Sequence, residues 1–213
     1  MDSLFRYDGY LNRILTKVMY IAAVNLLFLL CSLPVITIGA SCTAMYTVLF
    51  RFVKNDEPDI LKTFFKAFRE NLKKTTGIWT AMLVLSGTLA VNYYALYQMS
   101  GGWAEVLRVF LNLILLLWVM LWVYIFPAAA YYKNNVSGYL QFSIRAAVAN
   151  LPTTAALILM QAAFLLVILF FAQYMRMAVL ILACCGFSLP AYVSAGFLVK
   201  IFERYSEKDE CLG

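Results

Sequence analysis

The sequence predicts an all-α protein, a polytopic helical membrane bundle of about six transmembrane helices with a parallel internal repeat and interfacial amphipathic helices. Of its 213 residues, 64% are hydrophobic and only 13% are charged. The charged residues are segregated, which leaves apolar stretches of about 20 residues, enough to cross a hydrocarbon core roughly 30 Å thick. This composition excludes an ordinary soluble fold.

Four spans follow directly from the apolar runs, at residues 77–99, 106–132, 153–174 and 177–201. The first apolar region, from Val18 to Phe50, is longer than one span requires and contains Ser32-Leu33-Pro34 near its middle. Proline removes a backbone donor and restricts the residue before it, so this region forms either one kinked helix or a hairpin of two helices.

The distribution of lysine and arginine favours the hairpin, with spans at residues 11–33 and 36–53. Cations collect in short cytoplasmic loops, and six crossings place fifteen of the seventeen on that side. We therefore expect a multi-pass protein with both termini in the cytoplasm. We expect Pro34, Thr37 and Gly39 to shape the tight return, since proline stops one helix and glycine lets the other pack closely. Because the second span is short, a tilted or re-entrant helix is the alternative there.

An internal repeat supports the same arrangement. Shifting the chain by 79 positions aligns residues 54–75 with residues 133–154 and gives seven identities over 22 positions. The matches include polar residues that a hydrophobic composition does not supply, such as Asn71 with Asn150. Related loops should lie on one face of the membrane, which gives a parallel repeat of helix, cytoplasmic loop and helix.

The segment 58–74 has the pattern of a basic amphipathic helix. One face carries Phe64, Phe65 and Phe68, and the other carries four cations: Lys62, Lys66, Arg69 and Lys73. Such a helix can lie in the headgroup layer, where its rings are buried and its cations meet anionic lipid. The alternative is that the same residues dock a cytoplasmic partner. Residues 139–151, the equivalent segment of the repeat, show a similar pattern with fewer charges.

The chain offers no constellation of catalytic or metal-binding residues. It has no histidine, its five cysteines show no ligand spacing, and it contains neither a glycine-rich phosphate loop nor a Gly-x-Ser-x-Gly motif. We therefore expect no enzymatic activity, no metal site, no cofactor and no nucleic-acid partner.

Polar groups within the predicted spans are amides and hydroxyls, and no ionisable residue lies near the middle of a span. This disfavours proton-coupled pumping. Amides and aromatic faces suit a neutral solute such as a sugar, although they more often hold helices together or anchor them at the interface. The residues concerned are Asn25, Thr37, Thr43, Asn92, Asn112, Gln161, Gln173, Tyr93, Tyr94, Tyr97, Trp118 and Trp122. We expect Trp79 and Trp103, near predicted span ends, to serve as interface anchors or in helix packing.

Three runs together resemble the signature of the YesL family of bacterial integral membrane proteins: residues 25–40 (NLLFLLCSLPVITIGA), 43–46 (TAMY) and 64–71 (FFKAFREN). The resemblance covers nearly the whole chain, with Phe28 where the family often carries tryptophan. It implies a location in the bacterial cell membrane and supplies no catalytic residues. Members of the family are often encoded beside sugar ABC importers and two-component regulators of carbohydrate use, which implies importer subunits or a sensor kinase as partners.

Two hypotheses about function follow. In the first, the chain is a non-enzymatic accessory or regulatory membrane protein, associated with a carbohydrate ABC importer or its sensor kinase and docked through the basic helix. In the second, it is a small transporter or channel for a neutral solute such as a sugar. Co-purification of importer subunits favours the first hypothesis, and solute flux through liposomes that contain only this chain favours the second.

Overall fold

The computed structural model describes residues 2–56, 59–99, 101–172 and 186–210, and the regular structure in these ranges is helical throughout. These ranges contain seven α-helices: α1 (Asp2–Cys31), α2 (Ile38–Val53), α3 (Ile60–Gln98), α4 (Gly102–Tyr131), α5 (Val136–Ala149), α6 (Leu151–Ala172) and α7 (Ser188–Glu210). Four segments of the described chain are long and apolar enough to cross a membrane: Val35–Val53, Ile60–Gln98, Gly102–Tyr131 and Leu151–Phe170. A shorter apolar segment is Leu15–Cys31. The predicted all-α membrane bundle is confirmed.

The last predicted span, residues 177–201, falls partly outside the described residues. Residues 188–201 belong to α7, which continues to Glu210 and therefore ends well past the predicted boundary. Residues 177–185 lie outside the part of the chain that the structure describes.

The first apolar region is a hairpin, in which α1 and α2 are joined by a turn that includes a short 3-10 segment, Val35–Thr37. The Tyr20 and Phe52 rings, far from the turn on either side, stack with their centroids 4.0 Å apart, so the two helices run back along each other. Pro34 has an extended backbone at the start of the 3-10 segment. Thr37 Oγ1 lies 2.6 Å from the Cys31 carbonyl oxygen and 2.8 Å from that of Pro34, so its proton links the end of α1 to the turn.

Gly39 brings the backbones of α2 and α3 into contact. A Cβ atom at this position would lie 2.6 Å from the Thr75 carbonyl oxygen and 2.7 Å from Trp79 Cβ. Both distances are too short for any side chain, so only glycine permits this approach. The close packing that Gly39 allows is therefore with α3, the helix that follows the hairpin, rather than with α1.

The amphipathic segment and the following span form one helix, α3, of 39 residues. Sequence analysis separates an amphipathic helix at residues 58–74 from a span at 77–99, and this separation is wrong. Residues 75–77 carry no proline, and Gly77 has open space around it. Without a strong stop signal the helical hydrogen bonds continue through the change in composition.

α2 and α4 pack against different halves of α3. The start of α2 contacts Thr75 and Trp79 through Gly39, and the short connection after Val53 keeps its end near the start of α3. α2 therefore runs antiparallel to the first half of α3. On the second half, Trp118 of α4 donates from Nε1 to Ser86 Oγ at 3.1 Å.

Trp79 lies where the two halves meet. Its Nε1 donates to the Val35 carbonyl oxygen at 2.8 Å, and its ring centroid is 5.1 Å from that of Trp122 on α4. Trp79 is 7% exposed, so of its two expected roles, interface anchor and helix packing, the structure shows the second. Trp103, by contrast, is 85% exposed at the start of α4.

The charges on α3 determine which half can lie in hydrocarbon. The helix is about 58 Å long by its rise, whereas the hydrocarbon core is roughly 30 Å thick. Its exposed cations all precede Thr75, so residues 77–98 are the half that fits the membrane. Because α2 packs beside the charged half, we expect the α1–α2 hairpin to lie on the charged side, with its tip near Trp79 at the edge of the hydrocarbon core. This argues against a full span at residues 36–53 and limits how far a re-entrant helix would reach into the core.

The two copies of the internal repeat contain the same side-chain hydrogen bonds. In each copy an asparagine donates to the carbonyl four residues earlier, and a threonine donates to the carbonyl of that asparagine. The pairs are Asn71–Ala67 at 3.0 Å and Thr75–Asn71 at 2.8 Å in the first copy, and Asn150–Ala146 and Thr154–Asn150, both at 3.0 Å, in the second. Pro152, which has no backbone N–H, lies only in the second copy, and there the chain breaks at Asn150 into α5 and α6.

The N-terminus of α7 is held by α1. Asn25 Oδ1 accepts hydrogen bonds from the backbone N–H groups of Phe187 and Ser188, at 3.0 and 3.1 Å. Ser188 Oγ in turn donates to the Ile21 carbonyl oxygen at 2.8 Å. Asn25 and Ser188 are both fully buried, so these bonds satisfy polar groups that water does not reach.

Replacing Gly39 should be far more harmful than replacing Gly87. Gly39→Ala adds a methyl group against the α3 backbone and should lower the free energy of unfolding by about 1–3 kcal/mol, the usual cost of overpacking. Gly87 has nothing within 4 Å of an added Cβ, so Gly87→Ala is the matched control. Thermal unfolding of both variants in detergent measures the difference. Equal transition temperatures would contradict the backbone contact.

Removing the Asn25 side chain should destabilise the docking of α7 on α1. Asn25→Ala leaves two buried N–H groups without their acceptor and should cost about 1–3 kcal/mol. Asn92→Ala is the control, because the Asn92 side chain is exposed and donates only to the Thr88 carbonyl of its own helix. The same unfolding measurement applies, and a loss no greater than that of the control would argue against the cap.

The tip of the α1–α2 hairpin should not react from outside the cell. Val35→Cys in a cysteine-free background should resist an impermeant thiol reagent applied to intact cells, because Val35 lies level with Trp79, at the charged end of the membrane half of α3. Gly101→Cys, at the opposite end of that half, should react. Both should react in detergent, since Val35 is 59% exposed. Reaction of Val35→Cys in intact cells would establish a full crossing by the hairpin.

Candidate functional site

The basic stripe is a row of four exposed cations on the first half of α3: Lys62, Lys66, Arg69 and Lys73. Steps of four, three and four residues place them on one side of the helix over about 17 Å. Lys62 Nζ lies 3.4 Å from Asp59 Oδ2, and the two side chains are 88% and 51% exposed. Within the described ranges the other three cations form no hydrogen bond and no ion pair. The stripe is therefore open to an anionic surface.

The opposite side of the same segment is built into the protein core. Phe64 is 0% exposed and Ala67 is 5% exposed, and both belong to the cluster formed with residues of α2, α4 and α7. This corrects the expectation that Phe64 takes part in docking or lies in lipid. Phe68 is half-buried, and Phe65 is the phenylalanine of the segment that stays largely exposed, at 46%. The stripe is thus backed by packed side chains.

Asp59 begins α3 and orients the first turn of the stripe. Its Oδ1 accepts a hydrogen bond from the backbone N–H of Lys62 at 3.2 Å, the usual N-cap arrangement. This bond, together with the Lys62 ammonium, lowers the pKa of Asp59. The contribution of the cap to stability is therefore present above the ordinary carboxyl pKa and is lost as the pH falls through the lowered value.

Lys54 joins three helix ends on the same side as the stripe. Its Nζ lies 2.9 Å from Glu203 Oε1 of α7 and 3.1 Å from the Tyr131 hydroxyl at the end of α4. The Glu203 carboxylate raises the pKa of Lys54, so this pairing is complete below the ordinary lysine pKa and is lost as the pH rises through the raised value. Both charged side chains are nearly half exposed, so the pair is worth at most about 1 kcal/mol.

Lys54 lies in the backbone turn that ends α2, and its side chain extends from this turn toward α4 and α7. Asn55 adopts the left-handed conformation, with φ of 57°, and the Asp56 N–H donates to the Arg51 carbonyl at 3.0 Å. This is the hydrogen-bond pattern of a Schellman ending, which asparagine tolerates better than most residues. Sequence analysis missed the contact with Glu203, because nothing local links residues that lie so far apart in the chain.

A groove lies between the second half of α3 and the first half of α4. Its volume is about 670 Å³, and it is lined by Ser86, Leu89, Ala90, Tyr93, Tyr94, Tyr97, Asn112, Leu115 and Trp118. Five of the residues that sequence analysis considered for a neutral solute meet here: the three tyrosines, Asn112 and Trp118. Trp122 lies instead at the Trp79 junction. The groove is lined by hydroxyl, amide and indole groups and carries no ionisable acid or base other than the phenols.

Asn112 is the amide of the groove, and like the hydroxyls of the three tyrosines it forms no hydrogen bond among the described residues. Ser86 Oγ, by contrast, donates to the Met82 carbonyl and accepts from Trp118. Asn112 lies about 15 Å along α4 from Gly102. At that end Arg108 donates to the carbonyl oxygens of Leu96 and Met99, at 3.0 and 2.7 Å, and so caps the C-terminus of α3.

Possible metal ligands do not cluster within the residues that the structure covers. No three histidine, cysteine, aspartate or glutamate side chains of the described residues converge as a metal site would require. Cys31 and Cys42 are separate free thiols within α1 and α2. The site therefore consists of the basic stripe on one half of α3 and the groove on the other.

Comparison with known families links this part of the chain to a family without an assigned activity. A family model described as "Protein of unknown function, DUF624" matches residues 21–93. The match takes in the α1–α2 hairpin, the basic stripe, and Ser86 to Tyr93 of the groove. No curated protein and no solved structure matches the chain. The chain is thus similar to this family over the end of α1, α2 and most of α3.

Proposed function

We propose that the chain is a non-enzymatic accessory membrane protein that binds the acidic surface of a cytoplasmic or membrane-bound partner through the basic stripe. The observation that carries this proposal is the contrast between the two sides of one segment. Lys66, Arg69 and Lys73 are exposed and unpaired among the described residues, while Phe64 and Ala67 directly behind them are core residues.

The packed back of the stripe favours a binding role over that of a connector. Because Phe64 is enclosed, the helix that carries the cations is fixed before any partner arrives, and binding need not order the backbone. A row of like charges on a fixed helix attracts a complementary row of carboxylates and sets its register. The partner surface is therefore expected to be acidic and elongated.

The class of partner comes from the resemblance to the YesL family. That resemblance implies a carbohydrate ABC importer or the sensor kinase that controls it, and both present cytoplasmic surfaces at the membrane. Anionic lipid headgroups are the competing occupant, since each cation near such a surface contributes about 1 kcal/mol. We assign the stripe to a protein partner. Evidence that the stripe binds anionic lipid instead would overturn this assignment.

Charge reversal of the stripe should release the partner without unfolding the protein. The triple variant Lys62→Glu, Lys66→Glu, Arg69→Glu should lower co-purification of importer or kinase subunits from native membranes by about tenfold or more, the effect of losing roughly 1.4 kcal/mol of binding. Quantitative mass spectrometry of the purified complexes gives the ratio. The unfolding temperature should change little, since all three side chains are exposed.

A second triple variant separates the position of the charges from their number. Lys133, Arg145 and Lys200 are exposed cations outside the stripe, so Lys133→Glu, Arg145→Glu, Lys200→Glu changes net charge equally. It should retain the partner. If both triple variants lose the same amount of co-purified partner, the effect depends on net charge and not on the position of the stripe. Unchanged co-purification from the stripe variant, with less phosphatidylglycerol retained in detergent, would assign the stripe to lipid.

A second candidate function is transport of a neutral solute, which the groove between α3 and α4 favours. It gathers amide, hydroxyl and aromatic groups without charged side chains. Liposomes that contain only this chain provide the test. Flux of a labelled neutral sugar above that of protein-free liposomes would support transport, and no flux together with a retained partner would leave the accessory function.

A further inference from the structure

We propose that the groove between α3 and α4 binds the neutral, hydroxyl-bearing headgroup of a membrane lipid. Such a headgroup shares its chemistry with a free sugar, and the experiment below separates the two sources. The proposal does not rest on docking by the basic stripe, because the groove lies on the other half of α3. It concerns a ligand site, whereas the proposed accessory function concerns a protein surface.

The unpartnered amide of Asn112 is the first argument. An amide has two donors and an acceptor, and leaving them unsatisfied in an apolar medium costs several kcal/mol. Asn112 lies on the half of α4 that faces the apolar half of α3, and its side chain is exposed in the groove. A ligand that offers adjacent hydroxyl groups can satisfy both kinds of bond at once.

The aromatic residues are the second argument. Tyr93, Tyr94 and Tyr97 are 50%, 69% and 76% exposed and follow one another along the wall formed by α3. Each offers a ring face and a hydroxyl group, which suits a ligand that is apolar on one side and polar on the other. No charged side chain lines the groove, and Arg108, one turn from Asn112 along α4, is already engaged by the Leu96 and Met99 carbonyl oxygens, so a charged headgroup would find no free counter-charge there.

The shape of the groove is the third argument. It extends about 17 Å along α3 from Tyr97 to Ser86, and the hydrogen bond between Trp118 and Ser86 lies at its inner end. Its volume of about 670 Å³ is within the usual range for ligand sites. Leu89, Ala90 and Leu115 form apolar walls. The part of the lipid's acyl chains nearest the headgroup can pack against them. A membrane-bound amphiphile can therefore enter from the side.

Native mass spectrometry of the full-length protein tests the site. The protein is released from nanodiscs of phosphatidylglycerol that contain a minor fraction of diglucosyl diacylglycerol, and the retained glycolipid is counted. The wild type should retain it, and Asn112→Leu should lower the retained fraction by about fivefold, the effect of roughly 1 kcal/mol for one lost hydrogen bond. Tyr97→Phe should lower it in the same direction.

Gln161→Leu provides the matched control. Gln161 is an amide on α6 that does not line the groove, so its loss should leave retention unchanged. Equal retention by wild type and Asn112→Leu would overturn the proposal. The proposal would also be overturned if the wild type retains no glycolipid and forms a dimer that the Asn112→Leu substitution dissociates. The Asn112 amide would then be a helix–helix contact between two copies.

A competition arm identifies the source of the headgroup. Free maltose added in excess should not displace the glycolipid, because maltose lacks the acyl chains that pack on Leu89 and Leu115. If maltose displaces the glycolipid from the wild type but not from Asn112→Leu, the groove binds a soluble sugar. That result would overturn the lipid as its occupant.

Discussion

α3 is a single helix of 39 residues, about twice as long as the hydrocarbon core is thick, and both α2 and α4 take their positions from it. Gly39 sets α2 against the first half, and Ser86 with Trp118 sets α4 against the second. The Trp79 indole, bonded to the Val35 carbonyl, joins the two arrangements. The separation of the chain into a charged end and an apolar end follows from this one element.

Sequence reasoning identifies the helical membrane class and comes close to the bounds of helix α4 and to the start of helix α6, because long apolar runs and a proline after Asn150 are strong local signals. It divides α3 wrongly, because a change from basic to apolar composition was treated as a helix boundary. Composition reports the surroundings of a helix, whereas its ends depend on capping groups and proline. Pro152 supplies such an end in the second copy of the repeat, whereas the equivalent position of the first copy is Lys73, which lets α3 continue.

The candidate site shows the same division between local and distant information. Helical spacing correctly groups the four cations of the stripe on one side, but spacing alone does not reveal that α2 covers Phe64. Likewise, Asn25 and Ser188 are 163 positions apart at their contact through the Ser188 N–H, and Lys54 meets Glu203 only after α2, α4 and α7 are assembled. Such contacts depend on tertiary packing, which periodicity does not encode.

The unbroken course of α3 has a mechanical consequence. A helix without a break has no hinge between its ends, so a force that tilts the stripe also tilts the wall that carries Tyr93 and Tyr97. If binding at one end of α3 changes the affinity at the other end, the second binding event changes the first affinity by the same factor, because the coupling free energy is reciprocal. A tilt of α3 as one rigid body would therefore couple binding at the basic stripe on the aqueous side to binding in the groove inside the bilayer.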